Sequence, residues 1–293
     1  MAGVKDLKKK IKVTKSTFKI TSAMKLVSAA KLSRAQHAIS SSRPYNNELE
    51  TTIRTVSALV QNYNHSYLTS KENDESNKKY GLLLVVSSDK GLCGSFNSQL
   101  AKEVRKFLKR SELEYKVFFI GKKVKELIEK EVNTGKHYKF SKGVPSFNDV
   151  KNISEELALM FDGGEVSEVN VAYNEFKSAI LFFPKVKKVL PMSMSLTQKE
   201  ELKSKFPFDF KYEPSPKEIL DTLIPEAYYS SVYTCVLDAT AAEHGSRMNA
   251  MDSASKNCKE AIKTLTIKMN KIRQAAITTE LIEVVSGAES LNS

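Results

Sequence analysis

Between Leu237 and Ala276, apolar or small residues recur at alternating steps of three and four: Leu237, Ala241, His244, Met248, Met251, Ser255, Cys258, Ile262, Leu265, Met269, Ile272 and Ala276. A stripe with that spacing belongs to a helix seated lengthwise against another helix, because its apolar edge has to be covered. The helix-forming stretch that carries it, from about Glu226 to Ser286, would be roughly 90 Å long at the α-helical rise. A second such stretch runs from Val4 to Arg43 at the other end of the chain and would span roughly 60 Å. Its seam begins as Val4, Leu7, Ile11 and Phe18, with Thr14 and Thr21 at the intervening sites. After Phe18 the stripe is expected to slip toward Met24, Val27 and Ala30, as in a fairly straight helix of 3.6 residues per turn. Each seam needs a partner, so the two terminal stretches are expected to pair antiparallel, with the longer C-terminal helix projecting beyond the N-terminal one.

Between them the periodicity changes. Pro44 closes the first stretch, a second helical piece is expected over Asn46 to Asn62, and Ser66 to Lys79 reads as a solvated linker. The run Leu82-Leu83-Leu84-Val85-Val86 has the continuous apolar pattern of a strand buried on both faces. Asn97–Arg110 and Val124–Glu131 have helical composition, Lys116–Ile120 and Val169–Tyr173 read as strands, and Ile180–Phe183 with Val186–Pro191 as a closing hairpin. Alternating strands and helices imply a largely parallel sheet with right-handed crossovers. The proline- and aromatic-rich stretch Phe206–Pro225 is expected to be an extended connector. The resulting divisions are 1–64, 80–195, 206–225 and 226–293.

The net charge of +12 is concentrated at the N-terminus, where residues 1–34 hold nine Lys and Arg34 against Asp6 alone. Nucleic-acid and anionic-lipid binding are the rival readings of such a belt. The stretch is dominated by Lys, has a single Phe and lacks a recognised DNA-binding motif, which favours a solvated or protein-facing belt. From Glu226 onward seven basic residues meet eight acidic ones, and Gln274–Ser293 contains no Lys or Arg. That last segment, with Ala275, Ala276, Ile277, Leu281, Ile282, Val284 and Val285, is apolar on more than one face and calls for an enclosing sleeve. Cys93, Cys235 and Cys258 form no CxxC pair, and His37, His65, His137 and His244 lack metal-ligand spacing. No window is apolar for long enough to span a bilayer, and MAGVKDLKKKIK does not resemble a secretory signal. A cytosolic-side protein beginning near Met1 is the expectation.

The segment Ser87-Ser88-Asp89-Lys90-Gly91-Leu92-Cys93-Gly94-Ser95-Phe96-Asn97 follows the first strand and precedes a helix, the place where doubly wound folds hold phosphates. It fits neither G-x-G-x-x-G nor G-x-x-x-x-G-K-[ST], so a tight strand-to-helix turn is preferred over a nucleotide site. Cys93 could be a thiol activated at a helix N-terminus. No nearby His stands to serve as its base, which favours a buried small residue.

Four separated segments, Lys15–Gln36 (KSTFKITSAMKLVSAAKLSRAQ), Ser88–Asn97 (SDKGLCGSFN), Tyr212–Pro216 (YEPSP) and Arg273–Ala288 (RQAAITTELIEVVSGA), resemble the γ subunit of the F-type ATP synthase. The resemblance covers the whole chain. It implies a long antiparallel α-helical coiled coil in which the N- and C-terminal helices pair as a shaft, together with a central Rossmann-like α/β domain. It implies a non-catalytic rotor that binds no cofactor and no metal, turning inside a ring of three α and three β subunits and seated on a membrane ring of c subunits, with an ε subunit as a further partner. Membrane association would come through the complex only, on the cytoplasmic face of a bacterial inner membrane. By motif matching, Arg273, Gln274 and Thr278 correspond to contacts with the catalytic ring, with Met24 and Lys25 on the opposing helix near the same region. Tyr212 and Glu213 match c-ring contacts, while Gly91, Cys93 and Gly94 form a structural loop. The basic N-terminal helix would face acidic loops of the β subunits.

Three features depart from the pattern. Lys8, Lys9 and Lys10 stand where many members carry arginine, which weakens the expectation of bidentate carboxylate contacts. Gly245 sits inside the expected long helix at a cost on the order of 1 kcal/mol relative to Ala, and is expected to mark a bend. No inserted redox-regulatory cysteine pair of the chloroplast type is visible.

Overall fold

The computed structural model describes residues 2–60, 63–68, 80–140, 145–192 and 211–291. Its elements, in chain order, are α1 (Ala2–Leu59), β1 (Tyr80–Val86), α2 (Phe96–Arg110), β2 (Tyr115–Ile120), α3 (Lys123–Ile128), β3 (Asn133–Tyr138), α4 (Phe147–Asp162), β4 (Val166–Ser178), β5 (Leu181–Leu190) and α5 (Pro216–Leu291). Two compact units emerge, one formed by Met1–Ser28 with Arg247–Ser293 and the other by Ala29–Ser246. Among the described residues no helix is long and apolar enough to cross a membrane.

The larger unit is built on a five-stranded sheet of order β3-β2-β1-β4-β5. β1 to β4 are mutually parallel and β5 returns antiparallel to β4. β1 sits at the centre, so its alternate side chains enter two separate cores, and this is why its run of five aliphatic residues carries no polar alternation. Leu83 and Val85 pack with Leu100 and Val104 of α2 and with Val124 and Ile128 of α3. Leu82, Leu84 and Val86 pack with Val150, Leu157 and Phe161 of α4 and with Ile53 of α1 and Tyr228, Val232 and Val236 of α5. The terminal helices therefore contribute one covering layer of this unit.

Several boundaries differ from those the sequence suggests. α1 continues unbroken through Pro44. Ser40 and Pro44 both lie on the exposed side of the helix, where water can take the Ser40 carbonyl that proline leaves without its N–H partner. α5 begins at Pro216 rather than near Glu226, and Pro225 lies inside it. The start is capped by Ser215, whose hydroxyl accepts from the Glu218 N–H at 3.3 Å and donates to the Glu218 carboxylate at 2.8 Å. Proline stands at the first helical position, where its missing N–H costs nothing. The expected connector is thus helical over its second half, and residues 206–210 lie outside the described residues.

Residues 69–79 of the expected linker also lie outside the described residues, while Tyr67 is a core residue rather than a solvated one, stacked edge-on to Tyr228 at 5.6 Å. The expected closing hairpin is in fact a single strand. Both of its segments lie within β5, which pairs with β4 over Val169–Ser178. Pro184 is accommodated because β5 is an edge strand, and Lys185, Lys187 and Lys188 help to blunt that edge.

Two elements have no counterpart in the sequence reading. β3 carries Asn-Thr-Gly-Lys-His-Tyr without an apolar alternation, and Gly135 is required there because the Phe118 ring occupies the space a Cβ would need. α4 is capped by a reciprocal Ser146–Asp149 box and buries Val150, Ile153, Leu157 and Phe161. The Ser-x-x-Asp signal preceding a helical apolar spacing was legible.

Candidate shaft and loop sites

The smaller unit pairs the start of α1 with the end of α5. Its register follows from named contacts: Lys259 lies over the Phe18 ring at 5.5 Å, Ser255 donates to Thr21 at 2.8 Å, and Lys25 donates to Asp252 at 2.5 Å. Each step toward the N-terminus on α1 meets a residue further toward the C-terminus on α5, which is the antiparallel arrangement the seams call for. The α5 seam is followed in burial from Met251 to Met269, since Met251 and Ser255 are buried and Cys258, Ile262, Leu265 and Met269 are partly covered, while Ile272 is exposed.

On α1, up to Ser28, Leu7, Ile11, Thr21 and Ser28 are buried and Val4, Thr14, Phe18, Ser22, Met24 and Lys25 are partly covered. Of the positions expected after Phe18, Met24 is partly covered, whereas Val27 and Ala30 are exposed. Val27 is 58% exposed, and an alternation of three and four runs on through Leu7, Ile11, Thr14, Phe18, Thr21, Lys25 and Ser28. The reason is a polar layer. Thr21 and Ser255 satisfy one another, Ser28 donates to the Met24 carbonyl at 2.8 Å, and the Lys25 ammonium pairs with Asp252. Polar residues can hold seam positions when a partner meets them. The hydrogen bonds from Lys25 and Lys256 hold the Asp252 carboxyl down at about 2.

Met24 is half-buried and Lys25 is bound to its own chain. The register corrects one expectation, because Lys25 stands opposite Asp252 rather than beside Arg273, which lies about 30 Å further along α5 at the helical rise. Arg273, Gln274 and Thr278 are exposed, and the Thr278 hydroxyl donates to the Gln274 carbonyl at 3.0 Å. On this register α1 ends opposite the Arg273–Ala276 turn. Beyond it Ile277, Leu281, Ile282, Val284 and Val285 are all exposed, Val284 to 69%. On α1, Lys5, Lys8, Lys9, Lys12, Lys15 and Lys19 line an open groove of about 1060 Å³ with Asp6, Ile11 and Ser16.

In the larger unit, Gly91, Cys93 and Gly94 lie in the turn between β1 and α2. Leu92 and Gly94 take positive φ values of 62° and 57°, a conformation easy for glycine and uncommon for leucine. Cys93 is buried. The Asn97 amide donates to the Cys93 sulfur at 3.1 Å and to the Ser88 hydroxyl at 2.8 Å, while its oxygen accepts from the Ser88 N–H at 3.3 Å. Asn97 thus ties the end of β1 to the start of α2 across the turn. Among the described residues no group of three or more His, Cys, Asp or Glu could hold a metal ion. Tyr212 packs partly buried against the core containing Tyr228, and Glu213 beside it is exposed.

One titrating residue in this unit was missed at the sequence level. Asp238 is buried, with Oδ1 3.6 Å from the Arg43 guanidinium. That separation makes an ion pair but exceeds a hydrogen bond. Burial pushes its carboxyl up to about 6 against the opposing pull of Arg43, with Glu175 adding to the rise. An acidic residue one position after a seam leucine carries no signal of burial, since the exposed face of a helix is its ordinary place.

The ATP synthase family model matches residues 3–291. The chain is 38% identical to the ATP synthase gamma chain of Bdellovibrio bacteriovorus, with 99% of each chain covered. It is 37% identical to that of Flavobacterium johnsoniae, with both chains covered in full. Among solved structures, a chain of the Tetrahymena thermophila mitochondrial ATP synthase central stalk and c-ring is 27% identical, with a TM-score of 0.59 over 80% of this chain and 99% of that one. A chain of the Euglena gracilis mitochondrial ATP synthase, 17% identical, shares the fold with a TM-score of 0.65 over 98% and 94% of the two chains. From end to end, this chain belongs to the ATP synthase gamma-chain family, the subunit of the central stalk.

Proposed function

We propose that this chain is the non-catalytic rotor of a bacterial ATP synthase. It couples ion-driven rotation of a membrane c ring to sequential conformational change at three β catalytic sites, and runs in reverse during ATP hydrolysis. The observation that carries this reading is the overhang of α5, where five large aliphatic side chains beyond Ala276 stand exposed in a segment without a single Lys or Arg. Such a surface is unfavourable in water and favours a surrounding apolar wall. It offers few directional bonds to hold it at one angle. Inside a ring of three α and three β subunits it can turn, and an asymmetric shaft then presents a different face to each β subunit. Coupling of rotor angle to site affinity follows from those differential contacts.

Arg273, Gln274 and Thr278 are exposed at the base of the overhang and are assigned to the catalytic ring. Met24 is assigned to the same ring at a lower level, as is Lys25 through the part of its side chain left uncovered by Asp252. The lysine-lined groove of α1 fits acidic loops of the β subunits, and its charge would draw them in at low ionic strength. Tyr212 and Glu213 are assigned to the polar loops of the c ring, and ε to the α/β unit. Association with the cytoplasmic face of the inner membrane comes through these partners.

Reconstitution with purified α and β tests the reading. A 3:3:1 complex with ATPase activity is expected. Failure to form it, or tight DNA binding by the isolated chain at physiological salt, would overturn the assignment.

A further inference from the structure

Two segments of the α/β unit close on one turn of α5, at Gly245 and Ser246. From one side the Ser246 hydroxyl donates to the Cys93 carbonyl at 2.5 Å, in the loop between β1 and α2. From the other, the Ala179 carbonyl at the β4–β5 turn lies 2.9 Å from the place a Cβ on Gly245 would occupy. Only glycine admits a backbone this closely. Glycine in a helix interior is otherwise unfavourable, so close approach rather than helix formation accounts for it here.

Both jaws are braced. Asn97 ties Cys93 to Ser88, the Phe96 and Phe182 rings meet at 5.9 Å, and the Asn174 amide donates to the Phe96 carbonyl at 3.1 Å. Further back along α5 the apolar contacts of this unit, which are non-directional, are joined by directional bonds, Lys187 to Ser231 at 2.9 Å and Tyr228 to the Ser154 carbonyl at 3.1 Å. At its Ser246 end a hydroxyl bond on one flank and a backbone contact on the other add to those bonds in setting the angle of the helix about its axis.

We propose that Gly245 and Ser246 form a collar through which rotation of the α/β unit is delivered to α5, the two residues acting as positioning residues for coupling. The inference rests on the rotor reading above. The collar lies within α5, which runs as one helix from Pro216 to Leu291.

The test uses membrane vesicles bearing the complete complex, with ATP hydrolysis and ATP-driven ion uptake measured together. Ser246→Ala is expected to assemble and hydrolyse ATP within about twofold of the unmodified complex, while uptake per ATP falls at least about threefold, the scale of one lost hydrogen bond. Gly245→Val, which forces the Ala179 carbonyl away, is expected to lower the ratio further, and Ser246→Thr, which keeps the hydroxyl, to restore it. An unchanged ratio in Ser246→Ala overturns the collar. So does a failure of Ser246→Ala to assemble, which would make the contact a folding element. Should the unmodified chain support no ATPase, the rotor reading itself fails and takes the collar with it.

Discussion

Lys25 on α1 and Asp252 on α5, far apart in sequence, meet at 2.5 Å across the helical pair, beside the buried Thr21–Ser255 hydrogen bond. A polar layer of this kind sets register, because sliding either helix by a turn would strand the hydroxyls and bring unlike groups together.

Charge reversal checks that role. Lys25→Glu is expected to lower the melting temperature of the helical pair. The double variant Lys25→Glu with Asp252→Lys is expected to recover most of the loss, and both effects should shrink in high salt because the pair is partly exposed. Thermal melts followed by circular dichroism at two ionic strengths measure this. Equal melting of the single and double variants would show that the pair plays no part in register. The depressed Asp252 carboxyl contributes stability that is present above its unfolded-state value and is lost as pH falls toward about 2.

Asp238 has the opposite sign. Its folded-state value of about 6 lies above the ordinary carboxyl value, so the folded chain holds the proton more tightly than the unfolded one. Its contribution is fully present below pH 4 and is lost as pH rises through about 6. Asp238→Asn is expected to remove that pH dependence and to raise stability at pH 7 by on the order of 1–3 kcal/mol. Urea denaturation at several pH values between pH 4 and 8 reads the result. An unchanged slope in the variant would place the titration elsewhere.

Gly121 follows β2 with φ of 77°, and a Cβ there would overlap the Ser87 carbonyl. Gly121→Ala therefore meets both a strained backbone and a clash with main chain that cannot swing aside. It is expected to destabilise the α/β unit by on the order of 3 kcal/mol. Gly91→Ala, with negative φ and open space around it, serves as the control and is expected to stay within about 0.5 kcal/mol. Chemical denaturation of both variants makes the comparison.

Removing the residues after Arg273 takes away a segment whose side chains from Gln274 to Ala288 are largely exposed, so little of the described packing is lost. The calorimetric transition of the α/β unit is expected to stay in place while coupling in the reconstituted complex weakens. Loss of that transition would show that the tail is a folding element.

The repeat of three and four in the C-terminal stretch, and its beginning up to Phe18 in the N-terminal one, could be read from residue spacing alone, since period is a local property and each seam demands a partner of its own kind. The aliphatic run of β1, the positions of α2 and β2, and the apolar, Lys- and Arg-free character of the tail were legible for the same reason. Pro44 and Pro225 misled because a proline's effect depends on which side of the helix faces water. Tyr67, β3 and Pro184 depended on neighbours distant in sequence, namely Tyr228, the Phe118 ring and the edge position of β5. The pairing of Lys25 with Asp252, the burial of Asp238 and the close approach of Ala179 to Gly245 arise only when the chain is folded. Local spacing states which side chains need cover, whereas the energies of charge, hydroxyl and backbone contact depend on distances that only packing sets.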